Sequence, residues 1–166
     1  MRASRMFLFA TATLSVEEAL RHWARSPAVM ASHFDVAGRP NGYLDRAAFF
    51  AIQLVTTGLV ALVCGAGRPL ADRFPISVIN LPHKDFWLAP LRRAATLERL
   101  VSALEVQGGA TLLLLTLAFD LAVAANLGPD RRFAAGLFWP ALLLYGVFLL
   151  AWSGLMLKTF ARPPGD

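Results

Sequence analysis

The chain has 166 residues, 57% of them hydrophobic, with a formal charge of +5 and a mean hydropathy of +0.54. That composition excludes an ordinary water-soluble domain of this length. Its Lys and Arg residues sit in short segments beside apolar runs, where they meet anionic headgroups, and form no basic surface broad enough to track a nucleic acid.

The N-terminal region opens with Arg2 and Arg5 before an apolar run over 6–14, too short to span a bilayer alone. Ser15-Val16-Glu17-Glu18 reads as a capping box starting a helix at Val16, with Val16, Leu20, Trp23 and Ala24 on one face and Pro27 as its stop. Residues 1–16 are thus a shortened span or interfacial anchor. Ala10-Thr11-Ala12 leaves a cleaved signal as the third option. Residues 17–46 form an outer loop whose segment HFDVAGRPNGYLDR turns at Gly38, Pro40 and Asn41-Gly42.

Three apolar stretches follow, 47–67, 109–127 and 136–157. Each is long enough, at about 1.5 Å per helical residue, to cross a hydrocarbon core of about 30 Å. Asp120 is the one full charge within them, and Cys64, the only cysteine, can form no internal disulfide or paired-cysteine site. Between the first two spans, the linker 68–108 opens with Pro69 and Pro75. An amphipathic surface helix begins there at Pro90 and runs to about Val106, with Leu97, Leu100, Val101 and Leu104 as its stripe. Arg93, Arg99 and Glu105 lie off the stripe, and Gly108-Gly109 marks a helix junction. The turn at 128–132 joins the last two spans, and Pro163-Pro164 ends any helix in the tail 158–166.

If the N-terminal segment crosses, ten Lys and Arg lie on the linker side and six on the loop side. If it does not, the count ties at eight each. The first count puts the linker and C-terminus in the cytoplasm.

Residues 26–50, SPAVMASHFDVAGRPNGYLDRAAFF, resemble the signature of the bacterial membrane family called domain of unknown function 1648: a Pro, a His-Phe pair, Gly-x-Pro-x-Gly, then a transmembrane helix. INLPHKDFWLAPLRR, residues 79–93, resembles a second stretch found in part of that family. It matches at Asn80, Pro82, Lys84, Asp85, Trp87, Leu88, Ala89, Pro90, Arg92 and Arg93 and departs at His83, Phe86 and Leu91. The resemblance implies an outward first loop, a full span before it, and kinship with the immunity family against the sporulation-delaying toxin. It implies no particular chemistry.

Asp120 is the sharpest residue, because a carboxylate in a span costs roughly 2.5–3.5 kcal/mol and must face other helices. Gln53 and Asp120 fall at similar depth in antiparallel spans and Tyr145 near mid-span, which predicts a Gln53–Asp120–Tyr145 cluster, either a clamp or a proton or ion relay. His33 and Asp35 could pair as acid and base or as two metal ligands. A metal needs a third ligand, and His22 would have to fold back to supply it. The alternative is that both shape the loop turns. The outer-loop binding set is His33, Phe34, Asp35, Gly38, Pro40 and Gly42. The cytoplasmic surface is Asn80, Pro82, Lys84, Asp85, Trp87, Pro90, Arg92 and Arg93, with Phe86 and Trp87 as interfacial anchors. Trp139 and Trp152 read as interface belts and helix packing. No phosphate loop, GxSxG or HExxH is present, so no catalytic residue, metal or cofactor is assigned.

The expectation is an all-α polytopic protein of the bacterial inner membrane, non-enzymatic and partner-binding, of an immunity or signalling type. Its partners are the bilayer, an unidentified protein and a second copy of itself. The alternatives are a small transport or accessory subunit using Asp120, and a membrane enzyme using His33 and Asp35.

Overall fold

The computed structural model describes residues 3–67, 73 and 75–163; Arg2, Arg68, Pro69 and Pro164 lie outside them. Four long helices alternate in direction: α1 (Ala3–Trp23), α2 (Arg46–Gly65), α4 (Pro90–Leu127) and α5 (Ala135–Ala161), with a one-turn helix α3 (Lys84–Trp87) before α4. By length and composition α2, α4 and α5 can cross a membrane, each holding an 18-residue stretch of high mean hydropathy, 2.1, 1.9 and 1.9 in turn. The all-α, multi-pass membrane class holds. One antiparallel hairpin, β1 (Val29–Phe34) and β2 (Pro40–Asp45), is added to it.

The N-terminal reading is corrected. Helix α1 runs unbroken through Ser15, and no helix starts at Val16. A mid-helix serine needs a partner other than a cap, and Ser15 Oγ finds Thr57 Oγ1 on α2 at 2.8 Å. The face that packs inward carries Leu8, Thr11, Ser15 and Ala19. Small and hydroxyl side chains let membrane helices approach closely, whereas large apolar ones gain nothing by leaving lipid. Leu20 is accordingly 70% exposed, and Val16 and Trp23 are exposed beside it.

The predicted outer loop is the end of α1 plus the hairpin. Val29 pairs with Asp45, Met30 with Leu44 and Ala31 with Tyr43; register shifts on either side of the His33–Gly42 pair then bring Phe34 opposite Pro40. Gly38 takes φ +78, and a Cβ there would lie 2.4 Å from Phe133 O, so the turn needs glycine twice over. Asp35 Oδ1 accepts from Ala37 N at 2.9 Å and Arg39 N at 2.8 Å, closing that turn. Asp45 then caps α2 by accepting from Ala48 N at 2.8 Å.

The linker helix and the second span prove to be one helix, α4, of 38 residues or about 57 Å. Gly108 and Gly109 make no junction. A Cβ on Gly108 would sit 2.7 Å from Cys64 Sγ, and one on Gly109 2.5 Å from the Phe7 ring, so the pair lets α1, α2 and α4 meet. The inward stripe is Leu97, Val101, Glu105, Gly108 and Leu112 at helical spacing, while Leu104 is exposed. Glu105 is fully buried and accepts a 2.6 Å bond from Ser4 Oγ.

The hairpin, the end of α1 and the start of α2 meet the end of α4 around Ala19, Met30, Phe49, Phe50, Ala122 and Val123. Asn126 ties the hairpin to α4: its Oδ1 accepts from Ala31 N at 2.7 Å and its Nδ2 donates to Ala31 O at 2.9 Å. At the opposite, linker end, Leu88, Leu97 and Val101 pack with Ile79.

Candidate functional site

Near the hairpin end, α1 and α4 bring together Glu18, His22 and Asp120. Glu18 and His22 are four apart and therefore share one face of α1. Asp120 is seven residues before the end of α4 at Leu127, about 10 Å along the helix. His22 Nε2 lies 3.3 Å from Glu18 Oε2 and 3.8 Å from Asp120 Oδ1. One ligand atom from each of the three residues falls within 4.8 Å of the others. Their side chains are half-buried, 13% exposed at Glu18, 19% at His22 and 36% at Asp120.

Two arginines bear on this centre. Arg21 bridges Glu17 and Glu18 at 3.1 Å each. Arg25 approaches His22 Nδ1 at 3.0 Å. A guanidinium only donates, so Nδ1 accepts there and a neutral imidazole carries its proton on Nε2, towards the two carboxylates. One turn deeper than Asp120 on the same side of α4, the buried hydroxyl of Thr116 has no hydrogen-bond partner among the described residues.

The expected Gln53–Asp120–Tyr145 cluster does not form. Gln53 is buried, but its Nε2 donates to Ser15 O at 3.2 Å. Tyr145 Oη accepts from Gln107 Nε2 at 3.0 Å and meets Thr111 Oγ1 at 2.6 Å. Depth alone suggested the grouping; the rotation of each helix about its axis decided otherwise. Helix α5 packs on the α4 face carrying Gln107 and Thr111, and Asp120 turns to α1.

The outer-loop residues divide. A cleft of about 480 Å³ lies between the hairpin, α4 and α5, and His33, Phe34 and Asp35 line it with Ser32 and Asn41. Phe49, Phe119, Phe133, Phe138 and Trp139 form its aromatic wall. His33 Nδ1 bonds Ser32 Oγ at 2.9 Å and its ring sits over Gly42, where a Cβ would lie 2.9 Å from Nδ1. Gly38 and Pro40 shape the turn and do not line the cleft.

In the linker, Asn80, Pro82, Lys84, Asp85, Pro90 and Arg92 are exposed, and Arg93 is partly buried. Arg92 stacks over the Phe86 ring at 3.9 Å. Trp87 is no interfacial anchor. It is buried, donates from Nε1 to Phe160 O at 3.0 Å and packs edge-on against Phe160, which fastens the end of α5.

Glu18, Asn126 and Glu105 escaped sequence reasoning. The signal for the first was the Glu18/His22 spacing of one helical turn beside an apolar run, which the capping-box reading of Ser15 obscured. The chain matches no family model, no curated protein and no solved structure.

Proposed function

We propose that the chain is a small transport protein, or an accessory subunit of one, that works at Asp120. The observation that carries this reading is the joining of Asp120 to Glu18 and His22 across the α1–α4 seam. A carboxylate within a span is costly, and such residues mark ion and proton pathways. A mere helix clamp does not need it, because Ser4 and Glu105 already join α1 to α4.

The same seam is polar along its length. Thr11, Ser15, Gln53, Thr57 and Thr116 are all buried in the α1–α2–α4 core. Glu105 supplies a second buried carboxylate on α4, about 22 Å along the helix from Asp120. With α1 crossing, the Lys and Arg count of ten against six supports a cytoplasmic linker end in a bacterial inner membrane, with the Asp120 centre towards the outside.

The test compares membrane vesicles from cells carrying the wild-type chain and Asp120→Asn, scored for proton and divalent-cation flux with entrapped dyes. Wild-type vesicles show a flux absent from cells without the gene, and Asp120→Asn abolishes it at equal membrane content. Equal flux in wild type and variant overturns the reading.

The aromatic cleft favours a second reading. Its wall suits an apolar or amphiphilic ligand, with Ser32, His33, Asp35 and Asn41 at the polar end. That would be the sensing or immunity-type role implied by the resemblance to domain of unknown function 1648. Asp35 spends one carboxylate oxygen on two backbone N–H groups, which suits a shaping role better than proton transfer. His33→Ala would then remove the response to ligand while leaving insertion intact.

A further inference from the structure

We propose that Glu18, His22 and Asp120 bind a divalent transition-metal ion of the zinc class. The inference rests on the Asp120 reading above and gives that centre its ligand. Metal bonds of about 2.0–2.2 Å at tetrahedral angles hold neighbouring ligand atoms about 3.3–3.6 Å apart. The two separations from His22 Nε2, 3.3 and 3.8 Å, already bracket that distance. Since the three ligand atoms all fall within 4.8 Å, side-chain rotations of about 1 Å close the set.

The donor chemistry selects the metal. One imidazole nitrogen and two carboxylates suit zinc, cobalt, manganese or iron, whereas calcium and magnesium take oxygen ligands. The two carboxylates bring two negative charges into a half-buried seam, and a dication neutralises both. Three protein ligands leave a fourth position open to water or a passing anion. The Thr116 hydroxyl, without a partner among the described residues, lies one turn deeper on the same side of α4, a further oxygen for a metal-bound water.

Arg21 and Arg25 oppose the metal. Arg21 occupies Glu18. Arg25 holds His22 Nδ1 as an acceptor, which leaves the proton on Nε2, where the metal must bind. Binding therefore moves the imidazole proton to Nδ1 and releases Arg25, an exposed side chain just beyond the end of α1 that is free to turn to solvent. The arginine acts as a brake on the site.

The experiment uses the tag-free full chain in detergent, titrated with Co²⁺ and followed by visible absorption and by equilibrium dialysis. We expect one equivalent per chain, displaced by Zn²⁺, with a spectrum of low coordination number. His22→Ala and Asp120→Asn weaken binding by more than about 100-fold, beyond the loss typical of an outer-shell partner. Arg25→Ala tightens it, because Nδ1 is then free to carry the proton. The variant His83→Ala binds as the wild type does, because that histidine lies in the linker at the opposite end of the bundle.

Absence of saturable binding, or binding that survives both His22→Ala and Asp120→Asn in chains of native helicity, overturns the metal site. If Asp120→Asn abolishes vesicle flux while the wild type binds no Co²⁺, only the metal inference falls. If Co²⁺ binds at these residues while flux is indifferent to Asp120, the transport reading falls and the metal site stands.

Discussion

Asn126 offers the most direct residue-level check on how the hairpin is held. Its amide pairs with both backbone groups of Ala31 and also donates to Ala122 O at 2.8 Å. A side-chain amide thus acts as a strand partner where β1 would otherwise present unpaired polar groups beneath α4. Truncation orphans a buried N–H and a buried C=O, each costing about 1–3 kcal/mol. Asn126→Ala is expected to lower stability by about 2–4 kcal/mol in thermal unfolding, with amide exchange rising first at residues 29–34. A variant as stable and as protected as the wild type would show that packing around Met30 and Phe50 holds the hairpin unaided. Asp120 was legible in the sequence because an intramembrane charge is conspicuous. Its partners were not, because Glu18 and His22 lie on a segment whose apolar run looked too short to span. Asn126 carried no sequence signal at all: an asparagine at the end of an apolar run reads first as a helix stop.

At the scale of elements, the three long apolar runs could be located from hydropathy alone, and all three are helices that can span a membrane. What hydropathy could not give was continuity. A pair of glycines inside α4 read as a junction because glycine is unfavourable within a helix, by roughly 0.5–1 kcal/mol relative to alanine. The helix keeps them because Phe7 and Leu8 of α1 and Cys64 of α2 come too close for any side chain there. Gly108→Ala would place a Cβ 2.8 Å from Cys64 Cβ and 3.0 Å from Leu8 Cδ1, which forces α1 or α2 outward. It should cost about 1–3 kcal/mol by overpacking, against the propensity gain of alanine. Gly154→Ala on α5, with nothing within 4 Å of its Cβ, should be neutral or slightly stabilising. Thermal melts of the two variants in one detergent decide the matter: equal melts mean the helices do not meet at Gly108. The Trp87–Phe160 contact was equally hidden, since it joins residues 73 positions apart.

For the whole molecule the deciding question is whether α1 crosses. Its 21 residues extend about 31 Å, close to a hydrocarbon thickness, but its last turns carry Glu17, Glu18, Arg21 and His22. By composition alone it looks like an anchor; by contact it is part of the bundle. Ser4 meets Glu105 near the linker end, Ser15 meets Thr57 midway, and His22 meets Asp120 near the hairpin. Those three contacts span the helix from one end to the other, and each turns a polar side chain away from lipid. If α1 crosses, Ala3 and Ala161 emerge on one side and the hairpin tip on the other, and the basic residues divide ten against six. In a Cys64→Ala background, Ala3→Cys and Ala161→Cys should be blocked by a membrane-impermeant maleimide only after the cytoplasmic side is opened. Ala37→Cys, at the exposed turn of the hairpin, should react in intact cells. Labelling of Ala3→Cys from the same side as Ala37→Cys would lay α1 along the surface. That result would separate Glu18 and His22 from Asp120 and remove the centre on which the transport and metal proposals both depend.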